Sequence, residues 1–288
     1  MKQFKTIMFL SIFILYGGVE AKNREENPDE NPLYLLSNKA VSIGIGSQRE
    51  YDTYLSPLLY KGTGLTLMSE QLKHFSRRSN KFSWYSEPTF RIGLVENPAK
   101  NATMIPFSLR YFLGMYYHIR PVQNMNILVG PMWNMDLGGR SLLSNQNNPA
   151  SFIWNTNIWA SAMAYYHVPL RRRTLTFREH FALPLADVMF SPDYMQSYYD
   201  ILEVGSSDNI IVFTSPVERL EWRNKISMDL PTRFCTFRFG FLAERTVTHV
   251  NKLETRSTNL SFLIGWVYNF TTFKNRNPIP KEFGNPTE

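Results

Sequence analysis

The sequence has little of what stabilises small secreted scaffolds or helical membrane proteins. Cys235 is the single cysteine among 288 residues, which excludes a disulfide scaffold and a structural zinc site built on thiolates. Beyond the N-terminus no apolar run reaches the ~18 residues that a membrane-spanning helix needs, so a helical membrane bundle is excluded. Charged residues make up only 19% of the chain and apolar residues 43%, and this balance excludes a disordered protein.

The N-terminal segment predicts a secretory signal peptide. Lys2 and Lys5 precede a short apolar run, small residues follow, and we expect cleavage after Ala21, which makes residues 1–21 the signal. An N-terminal membrane anchor is the alternative, although the apolar run is short for one. The polar, acidic composition that follows predicts a flexible periplasmic tail over residues 22–38.

From residue 40 onward, apolar and polar residues alternate with a period of two, which predicts β-strands. Residues 259–270 show the pattern most clearly, because the even-numbered residues are all large and apolar and the odd-numbered residues are mostly small or polar. About ten such segments follow one another, at residues 40–48, 57–76, 82–96, 104–120, 125–139, 152–169, 174–189, 215–230, 233–250 and 256–272.

The connections between these segments alternate between short and longer. Short turns are predicted near residues 77–80, 122–124, 171–173 and 231–232, and longer loops near residues 49–56, 97–103, 140–151, 190–214 and 250–255. This pattern is typical of outer-membrane barrels, in which the short turns face the periplasm. We therefore predict an all-β, antiparallel up-and-down transmembrane β-barrel over residues 39–272, of about ten strands with twelve as the alternative, and a periplasmic C-terminal tail over residues 273–288.

The two faces of the segments favour a membrane barrel over a soluble β-barrel or sandwich. The polar faces carry Gly, Ser, Thr and Asn with a few charges of both signs, whereas a face in contact with water is rich in Lys and Glu. The apolar faces are bulky, and aromatic residues gather towards the strand ends, where the aromatic girdles of a membrane barrel lie. We expect the protein in the outer membrane of a Gram-negative bacterium, with the lipid bilayer as its first partner.

The last strand carries a pattern known from other outer-membrane barrels. Residues 263–270 (LIGWVYNF) resemble the terminal-strand signal that hands such barrels to their insertion machinery. Gly265, Tyr268 and Phe270 match that signal, whereas Leu263 stands where the signal has a polar residue. The resemblance implies that the barrel-insertion machinery is a partner of the newly exported chain.

A second resemblance centres on residues 52–57 (DTYLSP), followed by Tyr60 and Gly62. This motif resembles a hallmark of an uncharacterised family of outer-membrane β-barrels from Bacteroidetes-type bacteria. The resemblance implies a location and a fold, and no chemistry. The motif also has a structural explanation, since an Asp can start a turn and a Pro can fix the start of the next strand.

Ten charged residues fall on the faces that we expect to point into the lumen, and His180 and Glu244 share those faces. The ten are Glu70, Glu87, Arg91, Arg110, Asp136, Arg219, Glu221, Arg223, Lys225 and Arg238. Small barrels fill their interiors with side chains, so a plug of paired charges is the first interpretation. A narrow, anion-preferring pore is the alternative, because four of the ten, Arg219, Arg223, Lys225 and Arg238, give a positive excess on neighbouring strands.

A hydrolytic site at the outer rim is a further alternative, because some ten-stranded outer-membrane barrels are proteases with acidic residues and a His there. Asp187 and His249 are the rim candidates, and no Asp-x-His pair accompanies them. In residues 178–180 (REH), neighbouring side chains face opposite ways, which places Glu179 towards lipid. We assign no catalytic residue and expect no metal and no cofactor.

The longest predicted loop, residues 190–214, faces outside and carries Tyr194, Tyr198 and Tyr199. These tyrosines either bind a partner protein or glycan, or close the barrel mouth as a lid. We predict a non-enzymatic structural or accessory subunit of an outer-membrane complex, with other outer-membrane proteins as partners. The formal net charge of +7 is compatible with nucleic-acid binding, but an exported barrel does not meet cytosolic nucleic acid, and none is expected as a partner.

Overall fold

The computed structural model describes residues 34–35, 37–76, 79–145, 149–171, 173–194, 196–198, 201, 203, 209–270, 283–284 and 286–287. The predicted signal peptide, most of both predicted tails and Tyr199 lie outside the described residues. No helix among the described residues is long and apolar enough to cross a membrane.

Ten long strands and three short ones make up the described chain. The long strands are β2 (Ser37–Asp52), β3 (Ser56–Ser76), β4 (Ser79–Glu96), β5 (Thr103–Val122), β6 (Met125–Leu142), β7 (Ala150–Leu170), β8 (Arg173–Phe190), β10 (Arg219–Pro231), β11 (Thr236–Val250) and β12 (Leu253–Phe270). The short strands are β1 (Tyr34–Leu35), β9 (Ile211–Thr214) and β13 (Phe283–Gly284). Each predicted segment corresponds to one long strand.

The ten long strands form one closed antiparallel ring. Each pairs with its neighbour in the order β10, β11, β12, β2, β3, β4, β5, β6, β7 and β8. The ring closes where β8 pairs with β10, in a register that runs from Ala182 opposite Arg223 to Thr176 opposite Asp229. Because the ring is closed, no long strand has an unpaired edge. A sheet in lipid requires such closure, since its backbone groups have no water to bind. The predicted fold, an all-β antiparallel barrel of ten strands, is confirmed.

The connections at the two ends of the barrel differ less in length than the sequence pattern predicts. At one end they are residues 77–78, 123–124, 171–172 and 232–235, and at the other end residues 53–55, 97–102, 143–149, 191–218 and 251–252. The connections predicted as longer loops near residues 49–56 and 250–255 are tight turns, because the strands continue further. Asn251 and Lys252 have φ angles of 51° and 62°, as a two-residue type I′ hairpin turn requires.

The outer face of the wall is apolar, whereas most of the buried polar and charged side chains lie on its inner face. On β12, Phe262, Ile264 and Trp266 are exposed, whereas Asn259 and Ser261 are buried. Large apolar side chains are exposed on the outer face of every long strand, and a continuous apolar surface of this extent marks contact with lipid. The outer face is therefore suited to the hydrocarbon core of a bilayer.

The N- and C-terminal ends of the described chain meet near the short-turn end of the ring. Tyr34 pairs with Phe283 in the parallel β1–β13 ladder, and His167 Nε2 lies 2.8 Å from the carbonyl oxygen of Thr287. Cys235 is exposed at this end, in the 232–235 turn. The strand β11 begins one residue later, so Cys235 belongs to the turn and not to the wall.

Candidate functional site in the barrel interior

The ten charged residues singled out in the sequence all lie inside the wall, and each is less than 10% exposed. They join four further residues in one set of ion pairs, here named the charge network. Its cationic members are Arg91, Arg110, Arg178, Arg219, Arg223, Lys225 and Arg238. Its anionic members are Glu70, Glu87, Asp136, Asp187, Glu221, Asp229 and Glu244. Seven cations thus face seven anions, so the network carries no net charge.

The charge network crosses the full width of the barrel. Arg223 on β10 pairs with Glu87 on β4, and Arg178 on β8 pairs with Glu70 on β3. In each case the two strands stand five places apart in the ring of ten, which is the largest separation that the ring allows. Side chains that meet across a full diameter fill the space between the strands. The lumen is therefore occupied at this level.

Glu70 is the most heavily shared carboxylate of the network. It accepts from Arg178 and Lys225, from Arg238 Nη1 at 2.7 Å and from the Tyr85 hydroxyl at 3.0 Å. Charge-assisted hydrogen bonds of this kind are what make a buried carboxylate tolerable, since an isolated charge in a dry interior is very costly. Removal of Glu70 alone would leave three cations short of an anion.

A second group of ion pairs lies nearer the end of the barrel that carries the longer connections, here named the long-connection end. Arg110 Nε donates to Asp136 Oδ2 at 2.8 Å, and Arg110 Nη1 lies 2.9 Å from Glu221 Oε1. Glu244 pairs with Arg91 and with Arg223 Nε, the latter at 2.9 Å. Because Arg223 also pairs with Glu87, these pairs are continuous with those around Glu70.

Two members of the network were missed by the sequence interpretation, although alternation contains the information to find them. Arg178 stands two residues before the inward-facing His180 on β8, and Asp229 stands four residues after Lys225 on β10. Asp187 was placed at the rim. A bulge near Pro184 on β8 changes the alternation, so that Asp187 points inward and pairs with Arg219 at 2.9 Å.

Beside the charge network, a group of buried apolar residues fills the side of the barrel formed mainly by β5, β6 and β7. This aromatic cluster consists of Leu72, Tyr85, Phe112, Tyr116, Leu128, Met132, Trp159, Met163, Tyr165 and Ala182. Phe112 and Trp159 pack edge to face with ring centroids 5.9 Å apart. Tyr116 and Ser161 both approach His180 Nε2, at 3.3 and 2.8 Å, so this ring nitrogen has hydrogen-bond partners.

A hydrogen-bonded chain of polar side chains lies at the short-turn end of the interior. Ser83 Oγ lies 2.7 Å from His118 Nε2 and 3.0 Å from His74 Nδ1, and Asn126 Nδ2 lies 3.0 Å from His118 Nδ1. A serine beside a histidine can be a nucleophile, but Ser83 is fully buried, and a substrate cannot reach its hydroxyl. This chain satisfies buried polar groups and provides no accessible catalytic site.

At the long-connection end the interior opens into a polar depression, the outer cup. Arg140 reaches from β6 to Glu50 and Asp52 on β2, at 2.9 and 3.2 Å, and Ser151 donates to Asp52 at 2.7 Å. Asp52 also accepts from the backbone N–H of Tyr54 at 3.0 Å, which forms the turn after β2. The first residue of the DTYLSP motif therefore holds a turn and closes a wall of the cup.

The long outer connection packs against the cup through Tyr198. The backbone N–H of Phe152 donates to the Tyr198 hydroxyl at 2.6 Å, and the Tyr198 ring stacks on Phe190 with centroids 6.3 Å apart. Burial raises the pKa of Tyr198 to about 12. Tyr194 in the same connection is 54% exposed and points away. Of the two described tyrosines predicted as a partner surface, only Tyr194 is open to solvent.

The two rim candidates for hydrolysis do not come together. Asp187 is buried inside the wall and paired with Arg219, whereas His249 is exposed on the outer side of β11 and approaches Glu254 at 3.8 Å. Among the described residues that line the outer cup there is no histidine. The cup therefore lacks the His-based general acid or base that the sequence alternative required.

The residues of the proposed insertion signal lie at the end of β12. Tyr268 and Phe270 point outward with ring centroids 6.0 Å apart. Leu263, which departs from the signal, points inward and packs with Met68 and Leu242. An apolar residue at this position is explained by that small interior cluster.

Solved structures with a similar fold are outer-membrane barrels of low sequence identity. The outer membrane protease OmpT of Escherichia coli matches with a TM-score of 0.51 at 8% identity, over 86% of this chain and 99% of that chain. The translocator domain of the autotransporter NalP of Neisseria meningitidis gives 0.38 at 10% identity, over 92% and 94% of the two chains. The β domain of the Bordetella autotransporter BrkA gives 0.37 at 10% identity, over 81% and 100%.

The likeness to OmpT shows the fold alone, because residues in matching positions are almost never identical. No curated protein matches this sequence. A family match runs over residues 6–277, from the predicted signal peptide through the whole ring of strands. The chain therefore belongs to the family described as protein of unknown function (DUF3316).

Proposed function

We propose that this protein is a closed, non-conducting barrel of the bacterial outer membrane that serves as a structural or accessory subunit of an outer-membrane assembly. The location is supported by the apolar outer face and by the fold shared with outer-membrane barrels. Export through the predicted signal peptide and insertion guided by Gly265, Tyr268 and Phe270 belong to the same proposal. So does an origin in Bacteroidetes-type bacteria, which rests on the DTYLSP motif alone.

The observation that carries this proposal is the charge network across the full diameter of the barrel. The pairs Arg223–Glu87 and Arg178–Glu70 join opposite strands, so an ion moving along the axis would have to break buried ion pairs. Breaking such pairs costs about 3–5 kcal/mol each when one partner is left uncompensated. Because the paired side chains also occupy the lumen between opposite strands, they leave an ion no open path along the axis at this level, which supports a closed barrel.

The pore alternative loses its main support for the same reason. The four cations that gave a positive excess in sequence all have anionic partners in space. Arg219 pairs with Asp187 and Glu221. Arg223 pairs with Glu87 and Glu244, Lys225 with Glu70 and Glu87, and Arg238 with Glu70 and Asp229. No unpaired excess remains in the network to select anions.

The hydrolase alternative draws only on the shared fold with a protease, and fold does not imply function. In the outer cup the carboxylates Glu50 and Asp52 are held by Arg140, and both are more than 95% buried. Such carboxylates are poor general bases for a water that must reach them. The non-enzymatic interpretation therefore fits the described cup better.

The surface through which a partner would bind is the outer connection around Tyr194. Asn251 Nδ2 donates to the carbonyl oxygens of Ser191 and Asn209, at 2.8 and 3.0 Å, and so links two points of that connection to the neighbouring hairpin turn. Tyr198 packs inward, whereas Tyr194 is 54% exposed and faces the outside. Tyrosine is among the residues that most often anchor protein interfaces.

The test measures conductance and association on the full chain purified from outer membranes in mild detergent. In planar bilayers we expect no stepwise current, and native mass measurement should show a stoichiometric second chain. Tyr194→Ala should weaken that association at least about tenfold, as loss of an aromatic anchor does. Leu143→Ala, which is exposed in a different connection at the same end, is the control and should change little. A steady wild-type current, or a lone monomer from freshly extracted membranes, would refute the proposal.

A further inference from the structure

Two short turns at the periplasmic end bring a group of arginines together. Because β8 pairs with β10, the β7–β8 turn and the β10–β11 turn lie side by side. Arg171, Arg173 and Arg233 are all exposed and line one shallow cleft, here named the basic cleft, together with Leu170, Thr174, Pro231 and Thr232. Three guanidinium groups in one cleft create a local positive field at this edge of the barrel.

These arginines differ from those of the interior because their charges are not neutralised. Within the described residues, no ion pair joins Arg171, Arg173 or Arg233 to a carboxylate. Asp229, on the strand that leads into the cleft, already accepts from Nε and Nη2 of Arg238, at 2.6 and 2.7 Å. Among the described residues the Arg233 guanidinium contacts the Phe234 ring, 6.0 Å from its centroid, and no described carboxylate competes with a phosphate for the forked donors of the three arginines.

The wall directly above the basic cleft is apolar. Met228 stands opposite Phe177 on one side and Phe239 on the other, and Leu230 stands opposite Phe237. Phe177 and Phe237 are exposed on the outer face, and Phe234 beside the cleft is 92% exposed. A ligand that fits both features needs an anionic head and an apolar body.

We propose that the basic cleft binds the phosphate of an anionic phospholipid in the periplasmic leaflet, with the acyl chains along Phe177 and Phe237. This inference rests on the membrane location in the proposed function, and it is independent of whether the barrel conducts or has a partner. A free phosphate ion would use the arginines and gain nothing from the apolar wall. A phospholipid would use both, and each arginine near the headgroups contributes to the attraction.

The test is native mass spectrometry of the full chain in detergent with phosphatidylglycerol or phosphatidylethanolamine of the same acyl chains. We expect phosphatidylglycerol to be retained at least about tenfold more than phosphatidylethanolamine. The variant R171Q/R173Q/R233Q should lose that preference. The control R49Q/K61Q/R245Q removes the same charge from exposed positions at the other end and should keep it. Equal retention of both lipids by the wild type, or a preference unchanged in the first variant, would overturn the proposal.

Cys235 provides a second readout, because it is exposed beside Arg233 and is the single cysteine of the chain. A polarity-sensitive fluorophore attached there should shift towards the blue when phosphatidylglycerol is added. Inorganic phosphate at the same concentration should leave its emission unchanged. If inorganic phosphate displaces phosphatidylglycerol from the cleft at equal concentration, the site is one for free anions and the lipid proposal is wrong. A conducting or monomeric protein that still prefers phosphatidylglycerol would refute only the proposed function.

Discussion

The charge network and the aromatic cluster fill neighbouring parts of one barrel interior by different physical means. In the network, each side chain is held by a specific partner of opposite charge, as Glu70 is by Arg178, Lys225 and Arg238. In the cluster, Phe112 and Trp159 are held by shape and by the exclusion of water. The first depends on the identity of every residue, and the second depends mainly on total volume.

This difference explains why a closed barrel needs both kinds of filling. A charge network requires every member to keep a partner of opposite charge, and loss of a shared carboxylate such as Glu70 leaves several cations short at once. An aromatic cluster tolerates the exchange of one apolar side chain for another of similar volume. Arginines on one strand reach carboxylates on the opposite strand, as Arg223 and Arg178 do, because a guanidinium on a long flexible stem reaches further than an aromatic ring.

The largest effect should come from Glu70→Gln. The substitution preserves shape but removes the anion that three cations share, and an uncompensated buried charge costs about 3–5 kcal/mol. We expect a large loss of stability, measured as urea-induced unfolding in detergent by tryptophan fluorescence. The same variant should show intermittent currents in planar bilayers, because the pair that crosses the barrel to Arg178 is lost.

Two controls separate the charge effect from general sensitivity of the barrel. Glu179→Gln changes a carboxylate on the outer face that accepts a hydrogen bond from Asn224 at 3.1 Å, and it should cost less than about 1 kcal/mol. Met163→Leu changes the aromatic cluster at constant volume and should cost less than about 1.5 kcal/mol. Equal losses of stability in Glu70→Gln, Glu179→Gln and Met163→Leu would show that the ion pairs of the network stabilise the barrel no more than its other contacts do.

An added methyl group tests how tightly the wall closes around the charged side of the interior. At Gly265, a Cβ atom would fall against the carbonyl oxygen of Val41 and the hydroxyl of Ser42 on the neighbouring strand. At Gly240 on β11, the nearest atom is the Ile226 carbonyl oxygen at 3.2 Å, a contact that a small shift relieves. We expect Gly265→Ala to cost about 1–3 kcal/mol and Gly240→Ala less, measured by the same unfolding assay.

Gly265 is also a residue of the proposed insertion signal, and the pair of variants distinguishes the two roles. If packing alone explains the glycine, the Gly265→Ala protein should insert into the outer membrane normally. Once inserted, its folded state should be less stable than that of the wild type. If Gly265→Ala and Gly240→Ala are equally stable once folded in detergent, the packing explanation is wrong.

The strand order and faces could be predicted from the sequence because a period of two survives in every segment. Outward Phe262 and inward Ser261 are distinguishable by residue type alone. The inward orientation of the ten charged residues could be predicted from the same alternation. The ion pairs among them could not be predicted, since Glu87 and Arg223 are 136 residues apart and meet only because the ring closes. Closure depends on the register of all ten strands, which no single segment contains.

The outer end was predicted less well for a physical reason. Alternation ends where a bulge or a turn intervenes, as near Pro184, and the position of Asp187 changes with it. Residues 49–56 carry several polar residues and were interpreted as a loop, but β2 continues to Asp52 because Arg140 neutralises its charges from across the barrel. The neutralising partner lies far away in sequence, so a local pattern cannot reveal it.

The smallest effect should come from Tyr198→Phe, which repeats the comparison between polar and aromatic contacts at a single side chain. The variant keeps the stacking on Phe190 and loses the hydroxyl that accepts from the Phe152 N–H. Loss of one neutral hydrogen bond costs about 1 kcal/mol, so the outer connection should open about fivefold more often. Proteinase cleavage of that connection in the folded barrel measures the opening, and Tyr194→Phe is the matched control.

The same contact gives a pH dependence. Burial raises the pKa of Tyr198 from 10 in the exposed phenol to about 12, so the folded contact favours the neutral hydroxyl. The contribution of this residue to closure is therefore complete below pH 10 and is lost as pH rises towards 12. Cleavage of the wild type should accelerate across that range, whereas Tyr198→Phe should show no such step. A step of the same size in both proteins would mean that another group controls the connection, and that stacking alone holds Tyr198 in place.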